Sequence, residues 1–325
     1  MQATSSATAR VILQRQARLL SATAGPNTLK LHEVTPRDGL QNEKKKLTVL
    51  EKQALIQGLI DIRPNGIEVA SFVRGDLVPN MAGASELCAR LADDPKFTEF
   101  KRNGGYAAAL VPNLKGFEEF LKNKKVLDTV VVLVSCSDSH SKANVNRPMK
   151  DAMKATLTIV DAAKKEGIKV RAYASLAFGC PFEGKVPAER VVDLVCEYEA
   201  KGADKIILAD TLGVGLPEQV KDIVTRLRAQ SNIGLDRLGL HLHDSHSTAH
   251  ENVAEGWRQG IRDYDAAVGG CGGCNFAPGS KGNISIEKLL RTLGSIPGAS
   301  HNLNVDALRA VNRGLAATLA RDLEQ

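Results

Sequence analysis

Aromatic residues are scarce in this chain. One Trp, four Tyr and eight Phe among 325 residues make 4%, too few for rows of base-stacking platforms. The 43 Lys and Arg form no dense stripe, so nucleic-acid binding is excluded as a reading. Cysteine is sparse: Cys88, Cys136, Cys180, Cys196, Cys271 and Cys274 are too scattered for a disulfide scaffold. Reduced thiols and a reducing compartment are expected. Nothing approaches the roughly 20 uninterrupted apolar residues of a membrane span. No Gly-x-Gly-x-x-Gly follows the first strand-like run, which weakens a dinucleotide-binding open sheet.

Acid is missing from the first stretch: Glu33 is the first acidic residue. Residues 1–27 carry Arg10, Arg15 and Arg18, several Ser and Thr, and apolar Val11, Ile12, Leu13, Leu19 and Leu20. This pattern winds as a basic amphipathic helix, and a mitochondrial presequence is expected. The mature protein would then be a matrix protein. Losing three arginines would halve the formal charge of +6. The mildly basic remainder suits an anionic small substrate.

What is present is 43% apolar and 25% charged residues, and a regular rhythm. Short apolar, β-branched runs occur at 29–36, 66–72, 105–112, 129–137, 169–178, 204–210, 238–244 and 263–270. Segments of helical spacing separate them. Gly167 and Gly202 stand where helices should end before strands. Eight strand-then-helix units predict an α/β fold, a (β/α)8 TIM barrel, as a single domain over 28–325. The last segment, 305–325, reads as one additional amphipathic helix, packed on the barrel's outside or on a partner subunit.

A barrel of this kind builds its site at the C-terminal ends of its strands. Those ends carry Arg37 and Asp38, Glu68, Asn113, Ser135 to Asp138, Ser175 to Cys180, Asp210 and Thr211, then His241 and His243. Residues two apart on a strand share a face, so His241 and His243 can present two imidazoles to one point. Asp38 would reach the same place, because the first, seventh and eighth strands neighbour one another in a closed barrel. Two imidazoles with oxygen donors suit an octahedral Mg2+ or Mn2+ better than structural zinc.

The loop "GGCGGCNFAPGSKGN", 269–283, holds Cys271 and Cys274. Three readings compete: a zinc grip, a redox pair, or one thiol on a mobile flap. No second Cys or His pair stands near by, and a redox Cys-x-x-Cys would open a helix. The flap has the better physics, since glycines allow closure and a tuned thiol donates protons near neutral pH. Asn283 closes the loop and offers an oxygen that a hard metal would accept.

The stretches "EVTPRDGLQNE", "IEVASF", "VPNLKGFE", "GCPFEGK", "LADTLGVG", "HLHD" and "GGCNFAPGSKGN" occur in that order. Together they resemble the 3-hydroxy-3-methylglutaryl-CoA lyase family, over nearly the whole mature chain. The resemblance implies divalent-metal-dependent cleavage of 3-hydroxy-3-methylglutaryl-CoA to acetyl-CoA and acetoacetate, as in leucine degradation and ketone-body formation. It implies Asp38, His241, His243 and Asn283 as metal ligands, and Arg37 as the cation facing the thioester carbonyl. Glu68 would support Arg37, and Cys274 would be the catalytic thiol. Cys271 takes a position that is usually apolar and is expected to be incidental. The base that takes the hydroxyl proton is Asp38 or His241.

Gln41, Ser137, Tyr173, Ser175, Cys180, Asp210 and Thr211 are expected along the substrate path or rim. Lys44, Lys45 and Lys46 form a charge run that reads as a solvated face, with CoA phosphate contact as the functional alternative. His140, His246, His250 and His301 read as surface or capping histidines. A homodimer acting on an acyl-CoA, without nucleic-acid or membrane partners, is expected.

Two rim stretches depart from the family pattern. "SHSTAHEN" follows "HLHD", and "VRGDLVPN" follows "ASF". Both leave the reaction type intact and open the acyl-chain specificity. A lyase for a differently substituted 3-hydroxyglutaryl-CoA is one alternative. A Claisen-type synthase on the same metal-barrel plan is another, and a non-catalytic metal-binding barrel a third.

Overall fold

The computed structural model describes residues 27–273 and 282–325. Nearly all of the expected presequence and the 274–281 stretch with Cys274 lie outside the described residues. Eight parallel strands close into a barrel: β1 (Lys30–Glu33), β2 (Gly66–Ser71), β3 (Tyr106–Leu110), β4 (Thr129–Ser135), β5 (Lys169–Ser175), β6 (Lys205–Asp210), β7 (Leu238–Leu242) and β8 (Asp263–Ala266). Closure is made by β1, which pairs with β2 on one side and with β8 on the other, Lys30 against Asp263 and Glu33 against Ala266. The (β/α)8 barrel expected from the sequence is the fold adopted.

The helices outside the barrel follow the apolar spacing. They are α1 (Val49–Ile62), α2 (Ala84–Ala92), α3 (Pro95–Arg102), α4 (Leu114–Lys122), α5 (Asp138–Val145), α6 (Met149–Lys165), α7 (Ala188–Ala200), α8 (Pro217–Gln230), α9 (Ala249–Arg258), α10 (Ile286–Gly294) and α11 (Val305–Leu319). Thr48 opens α1 with a reciprocal capping box to Glu51, a start signal worth about 1 kcal/mol. Gly167 and Gly202 end α6 and α7 with φ of 68° and 75°, as their positions predict.

Two helices go beyond the expected set. Asp94 accepts from the Lys96 and Phe97 amides at 2.9 and 3.1 Å, so the chain restarts at Pro95 as α3. Ser137 similarly caps α5 through the His140 amide. Asn113, read as a rim residue, caps α4 by accepting from the Gly116 amide at 2.9 Å.

The main core lies between strands and helices. A smaller one fills the barrel itself, with Ala108, Val131, Tyr173, Ile207 and Ala209. The barrel interior also buries His32, Glu68, Arg171, Asp263 and Asp265. The final helix is shorter than expected. It ends at Leu319, packs against α1, and Ala320 adopts φ of 53° to turn the chain back. Residues 321–325 then run to the C-terminal face of the barrel.

Candidate active site

Immediately after β1 the chain forms one π-helical turn, Thr35–Gly39, in which the Gly39 amide donates to the Val34 carbonyl at 3.0 Å. The sequence had suggested strand as far as Pro36. Wide turns of this kind splay side chains from the regular path and concentrate at functional sites. Here the turn sends Arg37 and Asp38 over the barrel mouth. Arg37 donates through Nε and Nη2 to the two oxygens of Glu68 on β2, at 2.7 and 3.0 Å. Its Nη1 reaches Asp38 Oδ1 at 2.5 Å. Burial works against the guanidinium charge, but Glu68 and then Asp38 outweigh it and hold the pKa above its usual value. A planar fork on a buried carboxylate fixes direction as well as charge.

Asp38 Oδ2 lies 3.8 Å from His241 Nε2 and 3.7 Å from His243 Nε2. One donor atom from each of these three residues falls within 4.8 Å of the others, the arrangement of a metal site. Strand β7 ends at Leu242. His243 continues its line by bridging to Asn283. Asn283 Nδ2 donates to Asp38 Oδ2 at 2.8 Å and to the Cys271 carbonyl at 3.0 Å. Burial raises the Asp38 carboxyl, but Arg37 and then the imidazoles outweigh it and hold it well below its usual range.

These residues fit a divalent cation. The donors are one carboxylate, two imidazoles and an amide. Asn283 Oδ1 is buried without a hydrogen-bond partner among the described residues, which leaves a desolvated acceptor costing about 1–3 kcal/mol. A hard cation accepts such an oxygen. Asp38, His241, His243 and Asn283 would hold it.

Behind His241 stands a buried network the sequence reading missed. His241 Nδ1 lies 3.0 Å from Asp265 Oδ2, so with Nδ1 protonated its Nε2 lone pair faces Asp38. The Tyr173 hydroxyl donates to the same Asp265 oxygen at 2.6 Å. Arg171, fully buried, donates to Asp265 and, at 2.7 Å, to Asp263. Lys205 closes on Asp263 at 2.9 Å. Burial opposes charge on His241, while Asp265 and then Asp38 outweigh it and raise its basicity. A signal was available: Arg171 with Tyr173, and Asp263 with Asp265, each stand two apart on a strand and share a face.

The other candidates separate. Ser175 and Thr211 are partly exposed at strand ends, and Gln41 is partly exposed just beyond the turn that follows β1. Asp210 is buried and accepts from the Val214 and Gly215 amides at 3.1 and 2.7 Å, closing the turn after β6. Ser137 is fully buried, 2.8 Å from both Cys180 Sγ and Glu183 Oε1. Tyr173 is committed to Asp265. Lys44, Lys45 and Lys46 are exposed. His246 and His250 are exposed and His301 accepts from the Leu303 amide, but His140 is buried beside Phe182. Cys271 is buried beneath Gly39, with its thiol pushed up to about 12 by burial. The catalytic assignment of Cys274 lies outside the described residues.

Comparison with known proteins places this geometry. The family described as HMGL-like matches residues 28–314. The 3-hydroxy-3-isohexenylglutaryl-CoA/hydroxymethylglutaryl-CoA lyase of Pseudomonas aeruginosa is 35% identical over 83% of this chain and 86% of its own. The (R)-citramalyl-CoA lyase of Chloroflexus aurantiacus is 34% identical over 90% and 91%. Among solved structures, an HMG-CoA lyase from Acinetobacter baumannii in complex with coenzyme A and 3-methylmalate superposes with a TM-score of 0.82. It is 32% identical, covering 92% of this chain and 93% of that one.

Proposed function

This chain belongs to the HMGL-like family and is a lyase, and from that premise we propose that it cleaves 3-hydroxy-3-methylglutaryl-CoA to acetyl-CoA and acetoacetate with a divalent cation. The observation that carries the reading is the meeting of Asp38, His241 and His243 beside an Arg37 forked onto Glu68.

The cation, Mg2+ or Mn2+, would lower the pKa of the substrate's tertiary hydroxyl. Asp38 takes that proton in preference to His241, whose Nδ1 is held by Asp265 and whose Nε2 would be given to the cation. The bond between C2 and C3 then breaks, leaving a ketone on acetoacetate and an electron pair on the thioester fragment. Arg37, aimed by Glu68, hydrogen-bonds the thioester oxygen as it gains charge. Cys274 gives its proton to the released carbon to form acetyl-CoA. Ser175 and Thr211 contact substrate from the strand ends, and Gln41 from beyond the turn after β1.

A second reading concerns the acyl chain. Leu77, Phe182 and Leu216, in the loops after β2, β5 and β6, are 67%, 55% and 52% exposed. An apolar rim of this kind favours a longer C3 substituent on the same glutaryl-CoA frame. We also assign residues 1–27 as a matrix presequence and the mature chain as a homodimer. Mitochondrial import of a residue 1–27 fusion and sedimentation of the mature chain test these two assignments.

The test of function is acetoacetate release by the chain starting near Thr28, with Mg2+ and then with chelator. Fast, chelator-sensitive release supports the lyase reading. No release from folded, metal-loaded protein, alongside cleavage of a longer 3-hydroxyglutaryl-CoA or of citramalyl-CoA, would move the substrate and keep the chemistry.

A further inference from the structure

Residues 269–273 read Gly-Gly-Cys-Gly-Gly, and Gly269, Gly270 and Gly272 adopt φ of 56°, 69° and 123°. Such a segment has maximal backbone freedom and cannot hold its own shape. Yet its Cys271 carbonyl receives Asn283 Nδ2, whose other acceptor is Asp38. Something outside the segment must fix that carbonyl.

The Gly270 and Cys271 amides bond only locally, to the Ala267 and Val268 carbonyls at 3.3 and 3.2 Å, and Asn42 Nδ2 ties the far end by donating to the Gly273 carbonyl at 3.1 Å. Two further holds flank the near end. On the inner side the Val268 amide donates to Thr35 Oγ1 at 2.9 Å, tying the segment to the turn that carries Arg37 and Asp38. On the outer side lies the chain after α11. The Glu324 amide donates to the Gly269 carbonyl at 3.2 Å. Leu323 is buried directly on Gly269, where an added Cβ would meet the Leu323 Cβ at 2.5 Å. Asn312 Nδ2 joins the Glu324 carbonyl to Glu287 at 2.6 and 2.5 Å, and Glu287 Oε2 accepts from the Gly269 amide at 3.0 Å. Arg321 pairs with Glu43 of the loop after β1 and reaches Cys271 Sγ at 3.8 Å.

We propose that residues 320–325, anchored by Asn312, are a positioning strap for the Asn283 arm of the site. The strap holds the glycine segment from behind, the segment presents the Cys271 carbonyl, and that carbonyl orients the Asn283 amide against Asp38. The strap touches neither the reacting atoms nor the proposed cation. Its role toward the cation rests on the metal-site reading above.

The deciding variant is Asn312→Ala in the full-length chain, with Mn2+ affinity followed by titration and backbone protection by hydrogen exchange. Mn2+ binding is expected to weaken about tenfold or more, the range for residues that orient ligands from behind. Exchange should rise in 268–273 and 282–284 while β4 and β5 stay protected. Mn2+ affinity within twofold of the parent, in a folded protein that merely melts earlier, overturns the strap. If Asn312→Ala does not fold, Arg321→Glu replaces it under the same criteria, and a Glu43→Arg/Arg321→Glu swap should restore affinity. A parent chain that binds no Mn2+ defeats the metal reading, and exchange then decides alone: unchanged protection in 268–273 overturns the strap.

Discussion

Asp265 on β8 is registered directly against His241 on β7, and its Oδ2 sits 3.0 Å from the imidazole Nδ1. The carboxylate thereby selects the tautomer and turns Nε2 toward Asp38. Asp265→Asn keeps the size but can present an N–H where an acceptor is needed. Divalent-metal affinity is expected to fall about ten- to hundredfold, measured by Mn2+ titration. Unchanged affinity would show that packing alone orients the ring.

The Arg37–Glu68 pair is buried on both sides. Glu68→Gln takes the forked counter-charge from the guanidinium and leaves it only the Asp38 carboxylate, and breaking such a buried pair costs about 3 kcal/mol. The urea midpoint should drop accordingly. Turnover should fall by about a hundredfold, since the cation that meets the thioester oxygen loses its aim.

The two loop cysteines should behave differently. Cys271 is buried and its thiol is pushed up to about 12, so it should resist alkylation in the folded protein at neutral pH. Cys271→Ala is expected to change turnover little. Cys274→Ala should cut turnover heavily while leaving metal bound. Equal losses from the two substitutions would defeat the single-thiol reading.

Glu33, which accepts from the Thr35 amide at the base of the turn carrying Arg37 and Asp38, offers a pH test of stability. Burial pushes its carboxyl up to about 8, against the lowering effect of its Thr35 hydrogen bonds. The folded state therefore binds a proton that the unfolded chain, titrating near 4.5, has released. That contribution to stability is complete below about pH 4.5 and is lost as pH rises through 8. Glu33→Gln should flatten the fall in melting temperature between about pH 4.5 and 8. A parallel fall in both proteins would remove Glu33 as the cause.

Much of this was legible because the barrel converts strand ends into neighbours. Val130 to Val134 and Ile206 to Leu208 read as buried strand from composition alone, and Gly167 and Gly202 mark the turns before their strands. Asp38, Glu68, His241 and His243 follow from topology once the strands are numbered. The Thr35–Gly39 turn did not show, because "VTPRDG" continues a β-branched run and nothing local announces a π-helical bond pattern. Arg171, Asp263 and Asp265 were passed over because a charged residue alternating in a strand normally faces water. The turn at Ala320 was hidden by good helix formers on both sides of it.

Closure of the barrel has a further consequence for how this protein comes into being. Asp38 and Asn283 are 245 residues apart in the chain and touch only because β1 meets β8. On a ribosome the first half of the site waits unpaired until almost all of the protein has been made. No early folding intermediate can present the complete donor set, so an ion bound there would reward only the finished ring and stabilise it by mass action. A circular permutant opened between α5 and α6, with its old ends joined, would bring the two halves together early. It would reach the same native site by a shorter loop closure.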